Sequence, residues 1–84
     1  MPTPLSPATK TLGERILARR KALGISQEEA AARAGLHWTF FGQVERGQRN
    51  LSFHNLLKVS VGVDIDPGQL VKGIAPPETM HCQS

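Results

Sequence analysis

Cysteine is nearly absent: Cys82, two residues from the end of an 84-residue chain, is the only one. A single thiol cannot close a disulfide within its own chain, which fits a reducing, cytoplasmic interior. Long apolar runs are missing too, and nothing approaches the roughly 20 residues that a membrane-spanning helix needs. The N-terminus, MPTPLSPATK, has prolines where a signal peptide would carry an apolar core. No strand signal and no internal repeat is found. His54, His81 and Cys82 follow no metal-ligand spacing, so neither metal nor cofactor is expected. No nucleophile–base pairing is visible, which argues against an enzyme, and no separate sensing domain suggests a small-molecule ligand.

What is present is one small domain's worth of chain with a modest positive charge. The formal net charge is +3, and its distribution says more than its size. Lys10, Arg15, Arg19, Arg20, Lys21, Arg33, Arg46, Arg49 and Lys58 stand against Glu14, Glu28, Glu29 and Glu45, nine cations to four acids. A segment of that sign suits a polyanion, although a solvated helix face would carry the same residues.

Periodicity and caps divide the chain. Residues 1–8 contain three prolines and little to bury, and read as a flexible N-terminal arm. A first helix is expected from Thr9 to Leu23, with Leu12, Ile16 and Leu23 at helical spacing and Gly24 as its stop. Ser26-Gln27-Glu28-Glu29 has the form of a capping box and opens a second helix that ends at Gly35. A third helix runs from Trp38 to Arg46, capped by His37 and stopped at Gly47. Ser52 caps a fourth from Phe53 to Val61, whose apolar candidates are Leu56, Leu57, Val59 and Val61. Asp66-Pro67 restarts the chain into a short fifth helix reaching Lys72. Residues 75–84 read as a flexible C-terminal tail. The expected fold is all-α: five short helices around one core, spanning residues 9–74.

The most informative stretch is Gln27 to Arg46, QEEAAARAGLHWTFFGQVER. Counted from Gln27, Ala31 is fifth, Gly35 ninth, Phe41 fifteenth and Val44 eighteenth. Two short helices crossing steeply need a small residue where they meet and a glycine in the tight turn. They also need apolar residues where the second helix faces inward. This stretch meets each demand of a DNA-reading helix-turn-helix.

Several further motifs fall in register with it: LGERILARRKALGISQEEAAARAGL, then VERG, then NLSFHNLLKV. Together they resemble the Cro/phage-repressor (Xre-type) helix-turn-helix family over roughly Thr9 to Ile74. ERGQRNLSFHNLLKVSVGVDI is similar to the small controller proteins of restriction–modification systems, which are stand-alone dimers of about this length. The resemblance implies a phage-repressor-like DNA-binding domain and a sequence-specific transcriptional regulator whose partner is double-stranded DNA. By the same resemblance Trp38, Thr39 and Gln43 face base edges, while Gln27, Arg46, Arg49 and Asn50 contact the DNA backbone. Arg20 and Glu45 match a buried ion pair tying the first helix to the end of the third. Gln43 is the best candidate for a hydrogen-bonded base contact, since glutamine pairs with adenine through N6 and N7.

Three departures from the family pattern stand out. Ala30 and Phe41 exchange volumes relative to the usual pattern, and such swaps are tolerated better than cavities. Gly42 lies inside the third helix, either for close approach to the groove floor or because its aromatic neighbours crowd it. Trp38 and Phe40 put large apolar surface on the reading face, or else cover the core from its rim.

One reading helix covers too few base pairs to find a site in a genome, so a homodimer on a palindromic operator is expected. Val63, Ile65, Leu70, Val71 and Ile74 form the candidate interface, unless half of them close the monomer core. A competing function is a protein-interaction module such as the antitoxin of a toxin–antitoxin pair, which the aromatic face of the third helix would favour.

Overall fold

Five helices follow one another in the computed structural model, which describes residues 3–76. They are α1 (Pro7–Leu23), α2 (Gln27–Ala34), α3 (Trp38–Glu45), α4 (Phe53–Gly62) and α5 (Pro67–Val71), and no strand occurs among the described residues. Residues 77–84 of the expected tail, with His81 and Cys82, lie outside the described residues, as do Met1 and Pro2. Helix α2 packs on α3 and α4, α1 packs on α3 and α5, and α4 closes against α5. Ile16, Ala30, Ala31, Phe41, Val44, Val59, Val63 and Leu70 make up the single core.

Local chemistry accounts for most of the boundaries. Helix α1 begins at Pro7, two residues before the expected Thr9, because Ser6 is its N-cap and proline occupies the first turn. Ser6 Oγ accepts from the Thr9 amide while Thr9 Oγ1 accepts from the Ser6 amide, a reciprocal box at 3.1 Å each way. Residues just before the helix are also tied down: the Leu5 amide donates to Gly47 O at 2.8 Å, and Thr9 Oγ1 donates to the same oxygen at 2.8 Å. The stretch expected as an arm thus contributes its last two residues to α1 and fastens to the end of α3.

At Ser26 the box is only half formed. Its Oγ accepts from the Glu29 amide at 3.0 Å, but the Glu29 carboxylate accepts from Arg33 at 2.8 Å one turn on. That i,i+4 pair competes successfully for an exposed carboxylate. Helices α4 and α5 start on Ser52 and Asp66 as caps, and α5 ends at Val71, one residue short of the expected Lys72.

Two glycines let helices approach closely, which periodicity alone did not reveal. A Cβ on Gly62 would lie 2.6 Å from Ala30 O and 2.9 Å from Ala34 Cβ, so the backbone of α4 lies directly against α2. The room beside Ala30 is therefore closed by the α4 backbone, within the core that also holds Phe41. A Cβ on Gly13 would lie 2.5 Å from Glu45 O and 2.6 Å from Val44 O, which sets α1 against the end of α3.

The inward face of α4 is narrower than its composition implied. Val59 and Val63 are four residues apart and point inward, leaving Val61 roughly half a turn away and 67% exposed. Val61 therefore does not belong to the core.

Candidate nucleic-acid interface

Helix α3 is positioned by what it buries. Phe41, Val44 and Glu45 are buried, whereas Trp38 and Thr39 are exposed and Gln43 is half-buried. With 100° between successive residues, the buried set occupies one face and the 38, 39, 43 set the other. The turn before it needs a left-handed residue, which Gly35 supplies at φ 72°. His37 then caps α3 by accepting the Thr39 amide on Nδ1 at 3.1 Å. Its ring stacks on Trp38 at 6.1 Å between centroids, so the indole, 52% exposed, is braced at the start of the helix.

The far end of α3 is held by a buried polar cluster. Arg20 Nε donates to Glu45 Oε2 at 2.6 Å and Arg20 Nη2 donates to Oε1 at 3.1 Å, a two-pronged pair. Only 3% of the Glu45 side chain and 12% of the Arg20 side chain are exposed. A third donor comes from α2: Gln27 Nε2 reaches Glu45 Oε1 at 2.7 Å. Arg20 also donates to Ile25 O at 3.0 Å in the α1–α2 turn. One carboxylate thus ties α1, α2 and α3 together, and its burial is tolerable because each oxygen has cationic or amide donors.

Gln27, matched by the resemblance to a phosphate contact, has one of its two amide hydrogens engaged inside the protein. The other Nε2 hydrogen makes no hydrogen bond among the described residues. Gly42 is buried rather than open on the outer face of α3. A Cβ there would meet Arg46 Nη1 and Gln27 Oε1 at 3.4 Å, so the two side chains roof it over.

Arg46, Arg49 and Asn50 are all exposed and follow α3 in the turn toward α4. Arg49 Nε donates to Gln43 Oε1 at 2.9 Å, and its guanidinium carbon lies 5.2 Å from the Phe40 ring centroid. Phe40 itself is half-buried against the core. Of the two aromatics, Trp38 is on the outer face and Phe40 covers the core's rim beneath a cation.

Three arginines of α1 that raised the local positive charge are spent inside the molecule. Besides Arg20, Arg15 Nη1 donates to Leu70 O at 3.1 Å and Lys72 O at 2.7 Å, at the end of α5. Arg19 donates to Val63 O at 3.0 Å and Asp64 O at 2.7 Å, at the end of α4. Cations at helix C-termini satisfy carbonyls left without intrahelical partners. The sequence held no local sign of these clamps, because their partners lie more than 40 residues away.

Of the five residues expected at a dimer interface, Val63 and Leu70 are fully buried in the monomer core and cannot meet a second copy. They pack inward because α4 and α5 fold back across the same core that receives Ile16 and Val59. Ile65 and Ile74 are half-buried and Val71 is exposed. No group of histidine, cysteine and carboxylate side chains suited to a metal occurs among the described residues, and no described helix is long and apolar enough to cross a membrane.

Comparison with known proteins agrees with this geometry. The family model described as Helix-turn-helix matches residues 16–70. Control protein C.MunI of a Mycoplasma species is 38% identical over 56 residues, covering 67% of this chain and 76% of the relative. The crystal structure of the restriction-modification controller protein C.AhdI from Aeromonas hydrophila superposes with a TM-score of 0.71 at 44% identity, over 74% of this chain and 94% of that one. The c2 repressor of Salmonella phage P22, in complex with a synthetic operator, gives 0.67 at 37% identity, again over 74% and 94%. The chain belongs to the helix-turn-helix family of DNA-binding regulators, of the Cro/phage-repressor type. Within it, the relatives just described include controller proteins and a phage repressor.

Proposed function

We propose that this helix-turn-helix protein, a DNA-binding transcriptional regulator, binds a palindromic operator as a homodimer and acts by occupying DNA rather than by catalysis. The observation that carries the proposal is the two-sidedness of α3. Its inner face is fixed by Phe41, Val44 and the Glu45 cluster, and its outer face presents Trp38, Thr39 and Gln43 beside Arg46 and Arg49.

In that role Trp38, Thr39 and Gln43 face base edges in the major groove. Arg46, Arg49, Asn50 and the second Nε2 hydrogen of Gln27 lie where phosphates pass, and such contacts set register without reading sequence. A second copy would place its α3 one DNA turn away, about 34 Å. The apolar surface left for that contact is Val71 with the edges of Ile65 and Ile74. Val61, which shares a shallow depression with Ile65 and Pro67, extends it. A regulator of this kind works in the cytoplasm, on DNA.

The test is binding to the DNA upstream of the protein's own gene, measured against salt, with light scattering for mass. Specific duplexes should bind at nanomolar levels, and affinity should fall steeply as salt rises. Equal, weak binding to any duplex would sink the regulator reading in favour of a protein-interaction module. A monomer at tens of micromolar would sink the homodimer.

A further inference from the structure

Gln43 does not stand free on the outer face of α3. Its side-chain oxygen accepts from Arg49 Nε at 2.9 Å, and Phe40 supports the same guanidinium from below at 5.2 Å. An arginine carries donors only, so the atom facing it has to be the amide oxygen. The Gln43 NH2 group is therefore turned away from Arg49, and the two ends of the amide are no longer interchangeable.

That orientation bears on which base the side chain can read. Pairing with adenine uses both ends of the amide: the oxygen accepts from N6 and the nitrogen donates to N7. Here the oxygen already accepts from Arg49 Nε and keeps one lone pair, while the guanidinium beside it brings further N–H donors that an adenine amino group cannot satisfy. Guanine presents O6 and N7, both acceptors, and suits the opposite arrangement. The Gln43 NH2 group can donate to one of them, and Arg49 Nη1 and Nη2, which make no hydrogen bond among the described residues, can donate to the other.

We infer that Gln43 and Arg49 act as one unit that reads guanine at its position in each half-site, with Arg49 the residue that sets this preference. The inference rests on the regulator reading above and corrects the adenine expectation drawn from Gln43 alone. It also moves Arg49 from a backbone contact to a specificity determinant.

Selection of bound duplexes from a random pool tests it, run on the wild type, Gln43→Ala, Arg49→Ala and the double variant. The wild type should enrich guanine at one position per half-site, and Gln43→Ala should flatten that position. Arg49→Ala should lower the preference for guanine over adenine there by up to about 150-fold, the most that a bidentate base pairing, here shared by the two side chains, supplies. The double variant should look like Gln43→Ala at that position, since one unit is lost only once. Adenine at the Gln43-dependent position in the wild type would overturn the inference and leave the regulator reading standing. So would a uniform loss of affinity in Arg49→Ala with every base preference intact, the mark of a phosphate contact. A pool with no enriched duplex would overturn both.

Discussion

Replacing Gly13 by alanine should destabilise the protein even though alanine is the better helix former. Helix propensity alone favours the change by about 1 kcal/mol. The new methyl, however, would sit 2.5 Å from Glu45 O, 2.6 Å from Val44 O and 2.8 Å from Glu45 C. All three are backbone atoms, so no side chain can swing aside. Ordinary contact begins at 3.4 Å, and the end of α3 would have to retreat by nearly 1 Å. That same end carries the Glu45 carboxylate, whose bonds to Arg20 and Gln27 are 2.6 and 2.7 Å long and would stretch. Overpacking of this kind costs about 1–3 kcal/mol and occasionally more. After the propensity gain, the net loss should be up to about 2 kcal/mol, from a domain whose 84 residues provide about 4–12 kcal/mol in all. Urea unfolding followed by circular dichroism measures it, and the melting temperature should fall by about 4–8 °C per kcal/mol. A Gly13→Ala variant as stable as the wild type, or more so, would refute the claim that α1 and α3 touch backbone to backbone.

Gly42→Ala should have the opposite sign. Its methyl would meet only the Gln27 and Arg46 side chains, at 3.4 Å or beyond, so unfolding should show a gain of about 0.5–1 kcal/mol. A loss would mean that the roof over Gly42 cannot yield. Glu45→Ala should cost about 3–5 kcal/mol, because it strands a guanidinium and an amide that now share one buried carboxylate. A cost below about 1 kcal/mol by the same denaturation would show that the cluster is solvated and does not fasten α3.

Much of this architecture could be read from the chain because it is written in short-range chemistry. Capping residues, glycine stops and the spacing of Ala31, Gly35, Phe41 and Val44 act within a few residues, so four of the five helix starts fell where the sequence placed them. The Ser6-Pro7 start of α1 carries the same signal as Asp66-Pro67, but Pro2 and Pro4 close before it give the stretch the composition of an arm. Other features were not legible, since the partners lie far apart along the chain. Arg15 and Arg19 look like a charged helix face until α4 and α5 bring their carbonyl ends alongside. Val63 and Leu70 look like spare apolar surface until the same packing buries them.

Sequence alone determined where four of the five helices begin and that a helix-turn-helix lies at the centre, because local hydrogen bonding and side-chain periodicity need no distant partner. Only the tertiary structure decided which cations stay free, which valines face inward, and that Arg49 holds one end of Gln43. Those outcomes depend on distances between segments, and distance through space is what a linear order of residues does not contain.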